Sequence, residues 1–121
     1  MARILFVDDD PFTLETLKRS VQMFEHQAIT ASNGEDAYLR AIEETPDLIL
    51  TDMMLPDMDG LDLLRQLGEN PGTDQIPVVM LSASPELDMV ELCREAGAKE
   101  FLSKPVHLQT LLDVIRRFTV E

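Results

Sequence analysis

Leu48-Ile49-Leu50-Thr51-Asp52-Met53-Met54-Leu55-Pro56-Asp57-Met58-Asp59-Gly60 carries an acid out of a buried apolar run and into a turn. Three aliphatic residues, a small polar one and a carboxylate read as a strand covered on both faces, because strands of a parallel sheet are continuously apolar rather than alternating. Pro56 and Gly60 shape the loop that follows. A single acid at a strand end is most often an ordinary turn residue. The weight of Asp52 therefore rests on what the rest of the chain brings beside it.

The same grammar recurs on either side. Ile4-Leu5-Phe6-Val7 is an apolar run that ends at once in Asp8-Asp9-Asp10. Pro11 then opens a helix that Asp10 can cap, with Leu14, Leu17, Val21 and Phe24 on one face at spacings of three and four. Gln27 to Ala31 is a second, weaker strand, and Asn33-Gly34 turns the chain into a helix with Ala37, Tyr38, Ala41 and Ile42 inward, ended by Thr45-Pro46. After the central strand a helix runs on Leu61, Leu64 and Leu67 until Asn70-Pro71-Gly72 breaks it. Val78-Val79-Met80-Leu81 is another buried run, followed by Ser82-Ala83-Ser84 and by a helix that Pro85 starts and Gly97 closes. Phe101-Leu102 forms a last short strand before Ser103-Lys104-Pro105, and the final helix places Leu108, Leu111, Leu112 and Ile115 on one stripe.

Strand and helix thus alternate five times, with connections too long for hairpins, which calls for an α/β fold: a parallel sheet covered by helices on both faces. In such a sheet every strand ends at the same edge. Asp8, Asp9, Asp52, Ser82 and Lys104 arrive at one rim although far apart in sequence, and that rim is where open α/β folds bind ligands.

The 121 residues, taken as a single domain over 1–121, have room for a real core but not for a second domain. A hydrophobic content of 45% with 27% charged residues is the balance of a globular protein, and no apolar run approaches the length of a membrane span. Met1 leads directly into a strand-like pattern, so no signal peptide and a cytoplasmic location are expected. A formal net charge of −13 repels phosphate backbones and anionic lipid, which argues against direct binding to nucleic acid or membrane. Cys93 has no second cysteine to pair with and reads as a packed thiol.

Three carboxylates at one rim repel each other unless a cation sits between them, and oxygen-only ligands in a partly hydrated cleft suit Mg²⁺. Asp8, Asp9 and Asp52 are the expected group, while Asp10 beside Pro11 is read as a helix cap. Lys104 supplies a compact positive charge and Ser82 a hydroxyl, so with the metal they can hold the oxygens of a phosphoryl group. Asp52 would be the attacking carboxylate, since phosphoryl transfer asks the protein mainly for positioning and charge neutralisation.

These residues resemble the receiver domains of the two-component response regulators, including the single-domain chemotaxis members. The resemblance covers nearly every element. Its carriers are Val7-Asp8-Asp9, the Asp52 block with Pro56 and Met58-Asp59-Gly60, the Ser82-Ala83 pair, and Phe101 ahead of Lys104-Pro105. It implies a flavodoxin-like, doubly wound, five-stranded parallel sheet of order 2-1-3-4-5 with five helices. It implies further that Asp52 accepts phosphoryl from a sensor histidine kinase or a phosphotransfer protein, and that Asp9, Asp52 and the Met54 backbone carbonyl hold Mg²⁺, with Asp8 assisting through water. Lys104 would bridge to the phosphoryl group, and Ser82 and Phe101 would move in step, altering a partner-binding surface on helix 4, strand 5 and helix 5. A downstream protein or a fused output domain would read that surface. Also implied is a cis Lys104-Pro105 peptide. On this reading the domain is a switch that promotes only its own phosphorylation and dephosphorylation.

Two departures limit what transfers. Met54 and Leu55 make the turn after Asp52 more apolar than a water-handling loop, so no dephosphorylation rate follows. Lys99-Glu100-Phe101 lacks the paired aspartates of the DNA-binding subfamily that forms the symmetric dimer, so no dimer follows either. A haloacid dehalogenase-type phosphatase also uses an aspartyl phosphate, but its Asp-x-Asp-x-Thr/Val pattern fails where Phe12 stands. A flavin domain of similar topology needs a hydroxyl-rich phosphate loop after the first strand, where three aspartates would repel phosphate. His26 and His107 read as surface histidines. Met53, Met54 and Met58 fit either a partner-facing patch or gap filling near a loop.

Overall fold

The computed structural model describes residues 1–83 and 86–119. Five strands, β1 (Arg3–Val7), β2 (Gln27–Ala31), β3 (Leu48–Asp52), β4 (Val78–Ser82) and β5 (Glu100–Ser103), form one sheet of order β2-β1-β3-β4-β5. Every pairing is parallel. Between and after the strands lie α1 (Pro11–Gln22), α2 (Gly34–Glu44), α3 (Gly60–Glu69), α4 (Leu87–Glu95) and α5 (Leu108–Phe118).

Side-chain alternation along the buried strands divides the core into two layers. Leu5, Val7, Ile49, Val78 and Met80 pack with α2, α3 and α4, whereas Ile4, Phe6, Leu48, Leu50, Val79 and Leu81 pack with α1 and α5. Because both faces are covered, β3 is buried at all five positions, including Thr51 and Asp52. Burial at roughly 25 cal/mol per Å² of apolar surface is what holds the helices on. The sheet end that carries the site is thereby fixed by the core beneath it.

Several helix positions differ from the sequence expectation. Phe24 is 45% exposed, because α1 stops at Gln22 and Glu25 turns through φ 67°, taking Phe24 out of helical phase. The inward face of α2 is narrower than expected: Gly34, Ala37 and Ala41 are buried, Tyr38 is half-buried and Ile42 is 40% exposed. On α5 the packed stripe is Leu111, Val114 and Ile115, while Leu112 is half-buried and Leu108 is 42% exposed in the first turn, where neighbours lie on one side only. Pro85, expected to open α4, lies outside the described residues together with Ser84; α4 as described begins at Leu87. Gly97 does close that helix, at φ 108°, a conformation in which any side chain is strained. No described helix is long and apolar enough to cross a membrane.

Candidate functional site

The register of the sheet brings the site together. Val7 lies beside Thr51 and Asp52 beside Leu81, so the chain leaves β1 and β3 at adjacent points on one edge. Asp8 follows directly, held by its own N–H donating to the Ala31 carbonyl at 3.1 Å. Carboxylate oxygens of Asp8, Asp9 and Asp52 lie within 4.8 Å of one another. Asp8 is 1% and Asp52 9% exposed, whereas Asp9 faces solvent.

Lys104 reaches this group from the loop after β5. Its Nζ donates to Asp8 Oδ2 at 2.7 Å and lies 3.1 Å from Asp52 Oδ2. Burial alone would lower the Lys104 ammonium, but the hydrogen bonds to Asp8 and Asp52 outweigh it and hold the group above its ordinary value. The loop is placed by the Lys104 N–H, which donates to the Ser82 carbonyl at 2.8 Å, and the Lys104-Pro105 peptide is cis. Among the described residues, three carboxylates stand against the one Lys104 ammonium, a formal excess of negative charge in the cleft.

The three acids are not equivalent. Both Asp8 oxygens are engaged, Oδ2 by Lys104 and Oδ1 by the Asp10 N–H at 2.9 Å. Among the described residues, Asp52 Oδ1 accepts only a long bond of 3.4 Å from the Met54 N–H. Among the described residues the Asp9 carboxylate meets no cation of the protein. A hard divalent cation fits this donor set: oxygen ligands only, one of them open to water, and uncompensated charge. Asp10 stands apart as the cap of α1, accepting from the Phe12 N–H at 3.1 Å and from the Thr13 hydroxyl at 2.7 Å, and these bonds hold its carboxyl below the ordinary range.

Ser82, half-buried at the end of β4, and Phe101, half-buried on β5, lie on the α4 side of the rim. Together with Met53, Met89 and Leu92 they line a cavity of about 190 Å³ between the site and α4. Of Met53, Met54 and Met58, Met54 is the largely exposed one, at 75%, while Met53 is buried with its Sδ 3.7 Å from the Cys93 thiol. Cys93 is itself fully buried, and burial pushes its thiol up. His107 is exposed and opens α5, but His26 is half-buried and accepts the Ala2 N–H on Nδ1 at 3.0 Å, so it is not the free surface residue expected.

Sequence reasoning also passed over Asp57. Its carboxylate crosses from the β3–α3 loop to α2 and accepts the Gly34 N–H at 2.8 Å and the Glu35 N–H at 2.9 Å. Only its place beside a turn proline hinted at anything, and nothing in the local sequence points to a helix 23 residues earlier.

Residues 4–116 match the family model described as the response regulator receiver domain. PilH of Pseudomonas aeruginosa is 36% identical over 115 residues, covering 95% of each chain. The response regulator PleD of Caulobacter vibrioides is 36% identical over 118 residues, where the match takes in 98% of this chain but only 26% of that protein. Among solved structures, the chemotaxis protein CheY4 of Vibrio cholerae superposes with a TM-score of 0.92 at 25% identity, over 98% of both chains.

Proposed function

Because the chain belongs to the response regulator receiver domain family, we propose that Asp52 is its phosphoacceptor and that Mg²⁺ is held by Asp9, Asp52 and the Met54 backbone carbonyl, with Asp8 assisting through water. Receiver domains of this kind are signalling switches of two-component systems, and residues 1–121 act here as one such switch. The observation that carries the assignment is the reach of Lys104 across the cleft to Asp8 and Asp52. The Lys104 ammonium thus lies beside the carboxylate whose Oδ1, with its 3.4 Å bond, is nearly free among the described residues.

In the transfer, an Asp52 carboxylate oxygen attacks phosphorus as the bond to the donor breaks; a phosphohistidine donor leaves as imidazole, and a small acyl phosphate as its carboxylate. Mg²⁺, when bound, neutralises charge on the transferring group. Lys104 exchanges part of its bond to Asp52 for a phosphoryl oxygen, and the Ser82 hydroxyl supplies a further donor. Asp8, with both oxygens occupied, keeps Lys104 aimed at the cleft. The donor in the cell is a sensor histidine kinase or a phosphotransfer protein. The output is a changed surface on α4, β5 and α5 read by a downstream protein or a fused domain. The switch works in the cytoplasm and releases no product of its own.

The test is intact-protein mass measurement after incubation with a small acyl phosphate and Mg²⁺. One added phosphoryl group is expected, absent in Asp52→Asn and suppressed by excess chelator. An undiminished adduct in Asp52→Asn would sink the assignment.

A further inference from the structure

We propose that Asp57 is a positioning residue for the Asp52 site, tying the tip of the β3–α3 loop to the first turn of α2 and so holding the Met53 and Met54 backbone where it serves the acid and its cation. The inference rests on the site assignment above.

The loop is built to transmit a displacement at its tip. The Leu55 N–H donates to the Met58 carbonyl at 3.1 Å, Met54 and Asp59 form an antiparallel bridge, and the Gly60 N–H donates to the Met53 carbonyl at 2.7 Å. These bonds make residues 53–60 a small closed hairpin. One of its arms carries the Met54 N–H that reaches Asp52 Oδ1. The tip is Asp57 and Met58, and both touch α2.

The contact has a polar and a steric part. Asp57 Oδ1 and Oδ2 accept the N–H groups of Gly34 and Glu35, two of the donors a helix start leaves unpaired. The positive end of the helix favours a carboxylate there, and the two bonds hold the Asp57 carboxyl below its ordinary range. Beside them the Met58 side chain lies over Gly34, where a Cβ would meet Met58 Cγ and Sδ at 2.5 Å. Glycine at this position lets Met58 lie directly on the backbone, and a side chain there would have to push Met58 aside.

The helix depends on this help mainly at the buried Gly34, whose N–H is served by Asp57. Asn33 already caps α2 by accepting the Asp36 N–H at 2.8 Å, and Glu35 is exposed, so water can serve its N–H. The loop gains more. Among the described residues, it is Asp57 that hydrogen-bonds this loop to a helix other than α3, into which the loop leads. Outer contacts that orient a metal's ligands typically change affinity when removed even though they touch no metal.

The experiment compares Asp57→Ala with Asn33→Ala, which removes a cap bond at the same helix end without touching the loop. The readouts are thermal stability, the Mg²⁺ concentration at half-saturation, and the rate of phosphorylation by a small acyl phosphate. Both variants are expected to lose stability, but only Asp57→Ala should weaken Mg²⁺ binding, by about tenfold, and slow the reaction in step. Asp57→Asn keeps one acceptor oxygen and should fall between, which carries the same comparison if the alanine variant fails to fold. Equal Mg²⁺ midpoints in the Asp57 and Asn33 variants would overturn the proposal and leave Asp57 a helix cap. A wild-type chain that binds no Mg²⁺ would instead overturn the site assignment, and this proposal with it.

Discussion

The Lys104 ammonium donates to Asp8 at 2.7 Å, joining two residues 96 positions apart in sequence. The bond ties the end of the first strand to the loop after the last, across the central strand that carries Asp52. It also makes the buried Asp8 tolerable, because an unpaired carboxylate with a side chain 2% exposed would be costly.

Removing this ammonium should therefore destabilise the metal-free protein. In Lys104→Met, Asp8 and Asp52 face each other without a counter-charge. The full cost of breaking a buried pair is discounted because Lys104 remains a quarter exposed. A loss of about 2 kcal/mol is expected in denaturant melts with chelator present. A loss below ~0.5 kcal/mol would mean that the acids are screened by water rather than by Lys104.

Mg²⁺ should raise the melting temperature of the wild-type protein, by the equivalent of about 2.7 kcal/mol at a hundredfold excess over its dissociation constant. Asp9→Asn should melt slightly higher than its parent without metal and lose most of that rise. The exposed Asp9 adds repulsion to the cluster in the folded state, and this is relieved when the chain unfolds. Melts with chelator and with Mg²⁺ at matched ionic strength make the comparison. A metal-free variant that melts below its parent would give Asp9 a structural role.

Stability should respond to pH at both ends. The Asp10 carboxyl is lowered by the Thr13 hydroxyl and the Phe12 N–H, so its contribution is present above the unfolded value of 3.8 and is lost as pH falls through the lower folded value. Asp10→Asn keeps a capping oxygen without the charge and should flatten that acid limb. Lys104 is raised, so its contribution is present below the unfolded value of 10.5 and is lost as pH climbs through the higher folded value. The difference in melting temperature between wild type and Lys104→Met should accordingly shrink only above about pH 10.5. A difference that is constant across the alkaline range would detach Lys104 from the acids.

Phosphorylation should alter α4 more than the rest of the molecule. Within α4 the buried residue is Cys93, and the cavity of about 190 Å³ between Ser82, Phe101 and Met89 gives the neighbouring side chains room to repack. A phosphoryl group adds about −1.5 to −2 charges and strong acceptor oxygens beside Ser82. Amide shifts with a stable phosphoryl mimic should run from Ser82 through Phe101 into residues 86–95. Shifts confined to the rim would leave a phosphate-binding site without a switch.

The alternation of apolar runs with helical spacings was enough to read every strand and the order of elements along the chain. A strand buried on both faces has to be continuously apolar, and an acid directly after it has to emerge at the sheet edge. Asp8, Asp9, Asp52, Ser82 and Lys104 were legible as one rim for that reason alone, since parallel strands all end on the same side. Helix ends were less legible. Phe24 and Leu108 fit the apolar period, yet each sits where the helix or its neighbours stop, and periodicity carries no information about where packing ends.

Which residues share the edge follows from strand period, and the oxygen-rich character of that edge follows from residue type. Tertiary structure decided how the acids differ: Asp8 is occupied by Lys104 and the Asp10 N–H, Asp52 keeps one oxygen nearly free, and Asp9 faces solvent. It also decided that Asp57 accepts from the first turn of a helix that begins 23 residues earlier. Such choices depend on which side chain reaches which donor across elements, and that distance exists only once the sheet and its helices have packed.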